Sequence, residues 1–263
     1  MSAVFDKSNH SSLEPVNIFW TGGWDSTFRL LQLVMEEQRS VQPHYIIYQG
    51  RPSFQMEIDT MEKIRTQLHE QYPDAAQLIL PTIFTLIDEI DEDEEIMKAY
   101  QQANALRSLA MQNTWLAKYC KQHQILDMEY CSERRINPQD RRFFDFLKKE
   151  EDSPVYTYNL ELRDRPEYVL LKYFRFPIYG FTKPDIEKYA QENGWLGILK
   201  KTWSCYTPLL GRYPCGTCSP CRQSIKEGTG WRIPLFIRIL NRVSLIKSLK
   251  SVKHKVLAFW QEI

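Results

Sequence analysis

The chain has 263 residues, 43% of them hydrophobic and 25% charged, with a formal net charge of +1. That composition fits one large domain, or one with a smaller appendage, and excludes a disordered chain. Near-neutrality gives no reason to expect a nucleic-acid partner, and no run approaches the ~20 apolar residues of a membrane span.

The N-terminus, MSAVFDKSNHSSLEP, lacks the basic start and apolar core of a secretion signal. The expectation is a cytoplasmic protein whose cysteines stay reduced. A first strand is expected at Val16–Trp20, followed by TGGWDST (Thr21, Gly22, Gly23, Trp24, Asp25, Ser26, Thr27) and a helical stretch over Phe28–Val34. Glycines free the backbone to turn with its N–H groups exposed, and a following helix start adds unpaired donors and a positive dipole end. Together they make an anion trap. Ser26 is the candidate N-cap, and Asp25 is placed to hold a magnesium ion against a phosphate. The plainer alternative is a capped βα turn. No Walker loop occurs in the chain.

Further along, His44–Tyr48 reads as a strand closed by Gln49–Gly50, and Met56–Gln71 as an amphipathic helix. Leu78–Leu80 reads as a short strand ending at Pro81. Seven acids crowd into Asp88–Glu95, a solvated face or loop because like charges resist packing. One long helix is expected over Ala99–His123, a strand over Ile125–Cys131 and a proline-initiated helix over Pro138–Glu150. Thr182-Lys183-Pro184-Asp185 is a capped helix start, with Gly194 just past the helix end. Alternating strands and helices predict a doubly wound parallel α/β sheet, whose ligands bind beyond the carboxyl ends of the strands. TGGWDST, Tyr48–Arg51 and Cys131–Arg135 should converge there.

Four of the six cysteines lie within CYTPLLGRYPCGTCSPC. Cys205, Cys215, Cys218 and Cys221 have the spacing of a closed tetrahedral zinc site, structural because four protein ligands leave no open position. A redox C-x-x-C pair and an iron–sulfur cluster are the alternatives. Cys120 and Cys131 read as buried small hydrophobes. The tail is basic: residues 230–263 carry seven Lys or Arg against Glu262 alone. Apolar residues at helical spacing over Leu235–Trp260 predict an amphipathic helix, docked on the domain or on a dimer partner, with membrane-surface or nucleic-acid contact as the alternative.

The pattern [ST]-G-G-x-D-S between a strand and a helix resembles the PP-loop of the ATP pyrophosphatases. Joined to the cysteine segment Trp203–Arg222, to YQGRPSFQMEID (Tyr48–Asp59) and to FRFPIYGFTKPDIEKYA (Phe174–Ala190), it resembles the 7-cyano-7-deazaguanine synthase family over residues 16–226. The resemblance implies an adenine nucleotide alpha-hydrolase-like domain over 16–200, a four-cysteine zinc segment over 201–229 and a basic helix over 230–263. It implies an ATP-dependent ligase that adenylates the carboxylate of 7-carboxy-7-deazaguanine and amidates it, to the amide or the nitrile, with ATP, magnesium and zinc as cofactors. Thr21–Thr27 and Arg51 would bind the nucleotide, and Asp25, Ser26 and Lys183 would serve catalysis. Arg51 and Arg134 are candidate clamps for phosphate or carboxylate.

There are departures. Pro52-Ser53-Phe54 stands where the family has a basic histidine, and Asn104–Ser108 only loosely echoes its Gly-Arg-Asn. Relatives in antiphage operons imply a second reading, in which the activated deazaguanine passes to an amine of a partner protein. A non-catalytic nucleotide-binding scaffold is a third and a tRNA thiolase a fourth. A homodimer is the expected assembly.

Overall fold

The computed structural model describes residues 14–106, 109–136 and 146–242. Strand β1 (Val16–Phe19) lies at the centre of a five-stranded, wholly parallel sheet. After it come helix α1 (Trp24–Leu31) and its continuing π-helical turn Gln32–Glu36, then β2 (Val41–Ile47), α2 (Phe54–Gln71) and α3 (Pro73–Gln77). Next are β3 (Ile83–Leu86), α4 (Glu94–Leu106), α5 (Gln112–Gln122) and β4 (Met128–Glu129). A hairpin of β5 (Leu147–Lys149) and β6 (Tyr156–Tyr158) precedes α6 (Pro166–Leu171) and β7 (Phe174–Arg175). The chain then runs through α7 (Lys183–Glu192), α8 (Leu196–Leu199), α9 (Ser219–Lys226) and α10 (Leu235–Arg242).

The sheet order is β3-β2-β1-β4-β7. Val16 pairs with Val41, His44 with Ile83, Ile18 with Glu129 and Met128 with Phe174. The doubly wound parallel sheet is therefore present. Because alternate side chains of a strand point to opposite faces, each face builds its own core. Ile18 and Trp20 pack with Phe28, Leu31, Met61, Ile64, Ile186 and Ile198, under α1, α2, α7 and α8. Phe19 points the other way, into Ile96, Leu116, Tyr119, Leu170, Phe174 and Phe176, beneath α4, α5 and α6. A third, small cluster joins Cys205, Cys215 and Cys221 to Ile233 and Ile237.

Several local expectations are corrected. The first helix starts at Trp24, earlier than Phe28, because Gly22 already reverses the chain at φ 65 and Gly23 is extended at φ −78, ψ 168. Gly23, not Ser26, is therefore the N-cap. Leu78–Leu80 contributes only a bridge from Ile79 to Val41. The third strand forms after Pro81, which has no N–H to offer a ladder. The single helix expected over Ala99–His123 is two, α4 and α5; Asn104 Oδ1 draws off the Leu109 N–H at 2.8 Å and competes with helical bonding. Leu147–Lys149, expected in a helix, pairs instead with Tyr156–Tyr158 in a hairpin. The remainder of the Pro138–Glu150 helix falls largely outside the described residues, as do the tail beyond Arg242 and Arg107-Ser108 of the Asn104–Ser108 echo.

The acidic run behaves as charge repulsion dictates, with Asp88, Glu89, Asp91, Glu92, Glu94 and Glu95 exposed. Lys118 meets Glu92 at 2.6 Å, and Lys121 meets Asp93 and Glu95 at 2.6 and 3.0 Å.

Candidate active site

In an open parallel sheet the crevice lies where the strand order reverses. Here that point is between β1 and β4, and the loops leaving both strands enter it. The β1 loop carries Thr21–Gly23 and opens α1, whose first-turn N–H groups have no partner within the helix. A Cβ on Gly22 would lie 3.1 Å from the Glu57 carbonyl and 3.2 Å from Thr60 Cγ2, so this turn admits glycine alone without displacement. The Gly22 carbonyl accepts from the Trp203 N–H at 3.0 Å, tying the start of the cysteine segment to the turn.

Lys183 reaches the same place from the first turn of α7. Thr182 and Asp185 form a reciprocal capping box there, as the sequence predicts, and Pro184 stands in the helix's first turn. The Lys183 Nζ donates to Asp25 Oδ1 and Oδ2 at 2.8 and 3.0 Å and lies 3.3 Å from Glu133 Oε1. Glu133 follows β4 and is also 3.4 Å from Arg135 Nη1, a contact without hydrogen-bond geometry. Arg135 Nη1 is in turn 3.7 Å from Glu227, on the residue that follows α9.

The electrostatics follow from burial. Desolvation, reinforced by the Glu133 carboxylate, pushes Asp25 up to about 6, with Lys183 working against the rise. Glu133 is also desolvated, but Lys183 and Arg135 outweigh that and hold it below the usual carboxylate range. Lys183 loses solvation too, yet Asp25 and Glu133 more than offset the loss and raise its pKa. The group is a buried ammonium between two carboxylates, one firmly ionised and one poised near neutrality.

The crevice has two adjoining lobes that share Thr21, Gly23, Asp25, Arg51, Gln112, Glu133, Arg135 and Tyr206. One, of about 290 Å³, runs past Ser26, the strand ends at Phe19 and Ile46, and Gln112 and Asn113 of α5. The other, of about 220 Å³, lies under the cysteine segment, against Trp24, Lys183, Trp203, Ser219, Gln223 and Arg232. A larger cavity of about 730 Å³, between Val34–Ser40 and Gln71–Leu78, holds none of the predicted site residues.

The three loops expected to converge do so. Arg51, after β2, stacks over the Tyr206 ring at 4.5 Å and lies 3.9 Å from Glu57. Glu57 accepts from Tyr45 at 2.9 Å and from Ser53 at 2.7 Å, and burial raises its pKa. Thus the Pro52-Ser53-Phe54 departure places a fully buried hydroxyl on the acid of α2.

Some predicted residues are turned away. Thr27 is fully buried and its Oγ1 accepts from Trp20 Nε1 at 3.0 Å, so it braces the turn from below. Arg134 is exposed outside both lobes, and its neighbour Arg135 takes the position expected of it. Cys131, expected in the core, is half-buried and lines the larger lobe, whereas Cys120 is fully buried. Glu133, Arg135 and Tyr206 lay in segments the sequence brought to the site but were not singled out, and Glu227 and Arg232 had no local sequence signal. Their proximity arises from chain crossings far apart in sequence.

The four cysteines bring their Sγ atoms within 4.8 Å of one another. Cys205 and Cys218 sulfurs are 3.8 Å apart, the edge of a tetrahedron with Zn–S bonds of about 2.3 Å. Backbone N–H groups of Thr217 and Cys218 point at Cys215 Sγ, and that of Cys215 at Cys205 Sγ. This favours thiolates. The set fits zinc, and among the described residues it is the sole cluster of three or more metal-ligating side chains.

Residues 171–228 match the family described as Queuosine biosynthesis protein QueC. The 7-cyano-7-deazaguanine synthase of Erythrobacter litoralis (strain HTCC2594) is 47% identical over 47 residues, a stretch covering 18% of this chain and 18% of that protein. No solved structure matches. The family match contains Lys183 and all four clustered cysteines but stops short of the glycine turn and Arg232. It also covers less than the 16–226 span suggested by the motifs. Over this segment the chain is QueC-like.

Proposed function

We propose that this chain is an ATP-dependent ligase that activates the carboxylate of 7-carboxy-7-deazaguanine and amidates it, to the amide or onward to the nitrile. One observation carries the reading: Lys183, from the QueC-like segment, closes on Asp25 of the glycine turn at 2.8 Å, inside the crevice at the sheet's reversal point. The relative's name, a synthase of the nitrile, supports the substrate class.

The chemistry asks for charge stabilisation and alignment more than for covalent help from the protein. The substrate carboxylate oxygen attacks the α-phosphorus of ATP; the new P–O bond forms as the bond to the β-phosphate breaks, and pyrophosphate leaves. Backbone N–H groups of Gly23 and of the first turn of α1 would receive the phosphate oxygens, and Lys183 would neutralise the charge that grows on the leaving group. Ammonia then attacks the acyl carbon, and the C–N bond forms as AMP departs with loss of a proton. A second ATP adenylates the amide oxygen with release of pyrophosphate, and departure of AMP, with the two amide N–H protons lost over the two steps, leaves the nitrile.

Asp25 and Glu133 form a donor set suited to magnesium, which binds through one or two carboxylates plus substrate phosphates and would screen phosphate charge. Cys205, Cys215, Cys218 and Cys221 would hold zinc in a structural role, fixing the segment that roofs the smaller lobe.

The test is incubation with 7-carboxy-7-deazaguanine, ATP, magnesium and ammonium, read by mass spectrometry. AMP together with the amide or nitrile is expected. Absence of AMP, with Asp25→Ala indistinguishable from wild type, would overturn the reading. AMP without either product, together with a mass increase on an added protein, would move the acceptor from ammonia to a protein amine.

A further inference from the structure

Four cations line the smaller lobe: Arg51, Arg135, Lys183 and Arg232. Three already face carboxylates. Arg51 lies 3.9 Å from Glu57, Arg135 lies 3.4 and 3.7 Å from Glu133 and Glu227, and Lys183 lies 2.8 and 3.3 Å from Asp25 and Glu133. Each of these charges is therefore already shared with a resident acid.

Arg232 differs. It comes from the 3-10 turn Gly230–Arg232, four residues beyond the family match, and makes no ion pair among the described residues. Its Nη2 donates to the Thr202 carbonyl at 2.9 Å and to Thr202 Oγ1 at 2.7 Å, and its guanidinium lies over the Trp24 ring at 4.9 Å. These contacts fix the group while leaving Nε and Nη1 without a hydrogen-bond partner among the described residues. Burial lowers its pKa to about 10, so it stays a cation at neutral pH.

The lobe it enters also holds Gly23, the start of α1 and Lys183. With three cations already beside resident acids, an incoming polyanion gains from further positive charge, and the remaining Nε–H and Nη1–H donors of the Arg232 guanidinium supply it to phosphate oxygens. We propose that Arg232 engages the pyrophosphate portion of ATP, and free pyrophosphate, as the cleft's uncommitted positive charge. This rests on the ATP-dependent reading above.

Thr202, which anchors Arg232, directly precedes Trp203, whose N–H bonds the Gly22 carbonyl. The two ends of the cysteine segment are thus pinned to one another and to the glycine turn. The segment's fold would therefore set the distance between Arg232 and the turn.

Calorimetric titration of the full chain with magnesium pyrophosphate, and separately with AMP, tests this. Arg232→Gln should weaken pyrophosphate binding by about 10- to 100-fold, as expected for loss of a charge-assisted pair. AMP affinity and zinc content should hold. Arg232→Lys should lose less than Arg232→Gln, because it keeps the charge without the fork. Unchanged pyrophosphate affinity in Arg232→Gln would overturn the assignment, as would equal losses for pyrophosphate and AMP, which mark a purely structural residue. Should Arg232→Gln not fold, Arg232→Lys decides by the same pyrophosphate-to-AMP comparison. Wild-type protein that binds neither pyrophosphate nor ATP would instead refute the ATP reading itself.

Discussion

Gly22 and Lys183 show how single residues carry the crevice. At φ 65, Gly22 occupies backbone space that other residues enter at a cost, and its missing side chain leaves room for the Glu57 carbonyl. Gly22→Ala should cost about 1–2 kcal/mol of stability, from left-handed strain and a forced shift of α2, and should weaken ATP binding. Denaturant unfolding and an ATP titration measure the two effects; wild-type values in both would show that the turn does not depend on Gly22. Lys183→Gln should reduce AMP formation by at least ~100-fold, because the charge growing on the departing pyrophosphate then loses its lysine partner. Arg134→Gln should leave AMP formation within about twofold, since an exposed charge outside the crevice is screened by water and salt. A large loss in Arg134→Gln would restore it as a clamp. The choice between Arg134 and Arg135 was invisible in the sequence. Adjacent arginines in an irregular loop have no periodicity to say which one turns inward.

At the level of elements, legibility followed locality. The start of α7 was readable because a capping box closes within four residues, and the cysteine segment because metal ligands keep short, fixed spacing. The boundary between α4 and α5 was not, since both halves favour helix and the break depends on the Asn104 side chain taking the Leu109 N–H. Leu147–Lys149 likewise becomes a strand because Tyr156–Tyr158 is there to pair with it, a partner that helix propensity does not register. The cysteine segment also makes a prediction. Metal analysis should find about one zinc ion per chain. Cys218→Ser should lower both zinc content and AMP formation, because Trp203 and Arg232 lose their fixed positions beside the glycine turn. Full AMP formation in a zinc-free variant would separate the metal from the crevice, and iron with visible absorbance would replace zinc by a cluster.

For the whole molecule, the sheet is bound to its helices by polar as well as apolar contacts, and His44 is one such junction. From β2 it donates through Nε2 to Asn17 of β1 at 2.8 Å and accepts from the Tyr119 hydroxyl of α5 at 2.7 Å. That arrangement fits the neutral ring, and burial, helped by His123, lowers its pKa to about 4. The unfolded chain takes up this proton near pH 6.5, whereas the folded protein resists it until about pH 4. The unfolded state therefore binds more protons between those values. The contribution is complete above about pH 6.5 and is lost as pH falls towards 4, by roughly 2–3 kcal/mol. Urea unfolding across that range should show the decline, and His44→Gln should flatten it; an unaltered slope in the variant would assign the acid sensitivity elsewhere. The amino-acid sequence by itself determined the parallel α/β class, the glycine turn, the capped lysine and the four-cysteine set, because each is written in short-range spacing or in the alternation of strands and helices. Only the tertiary structure decided that β1 and β4 flank the reversal point, that Glu133 and Asp25 share one lysine, and that Arg232 returns to the turn without an ion pair among the described residues. Those are contacts between residues far apart in the chain, fixed by the packing of two cores against one sheet, and no local pattern encodes them.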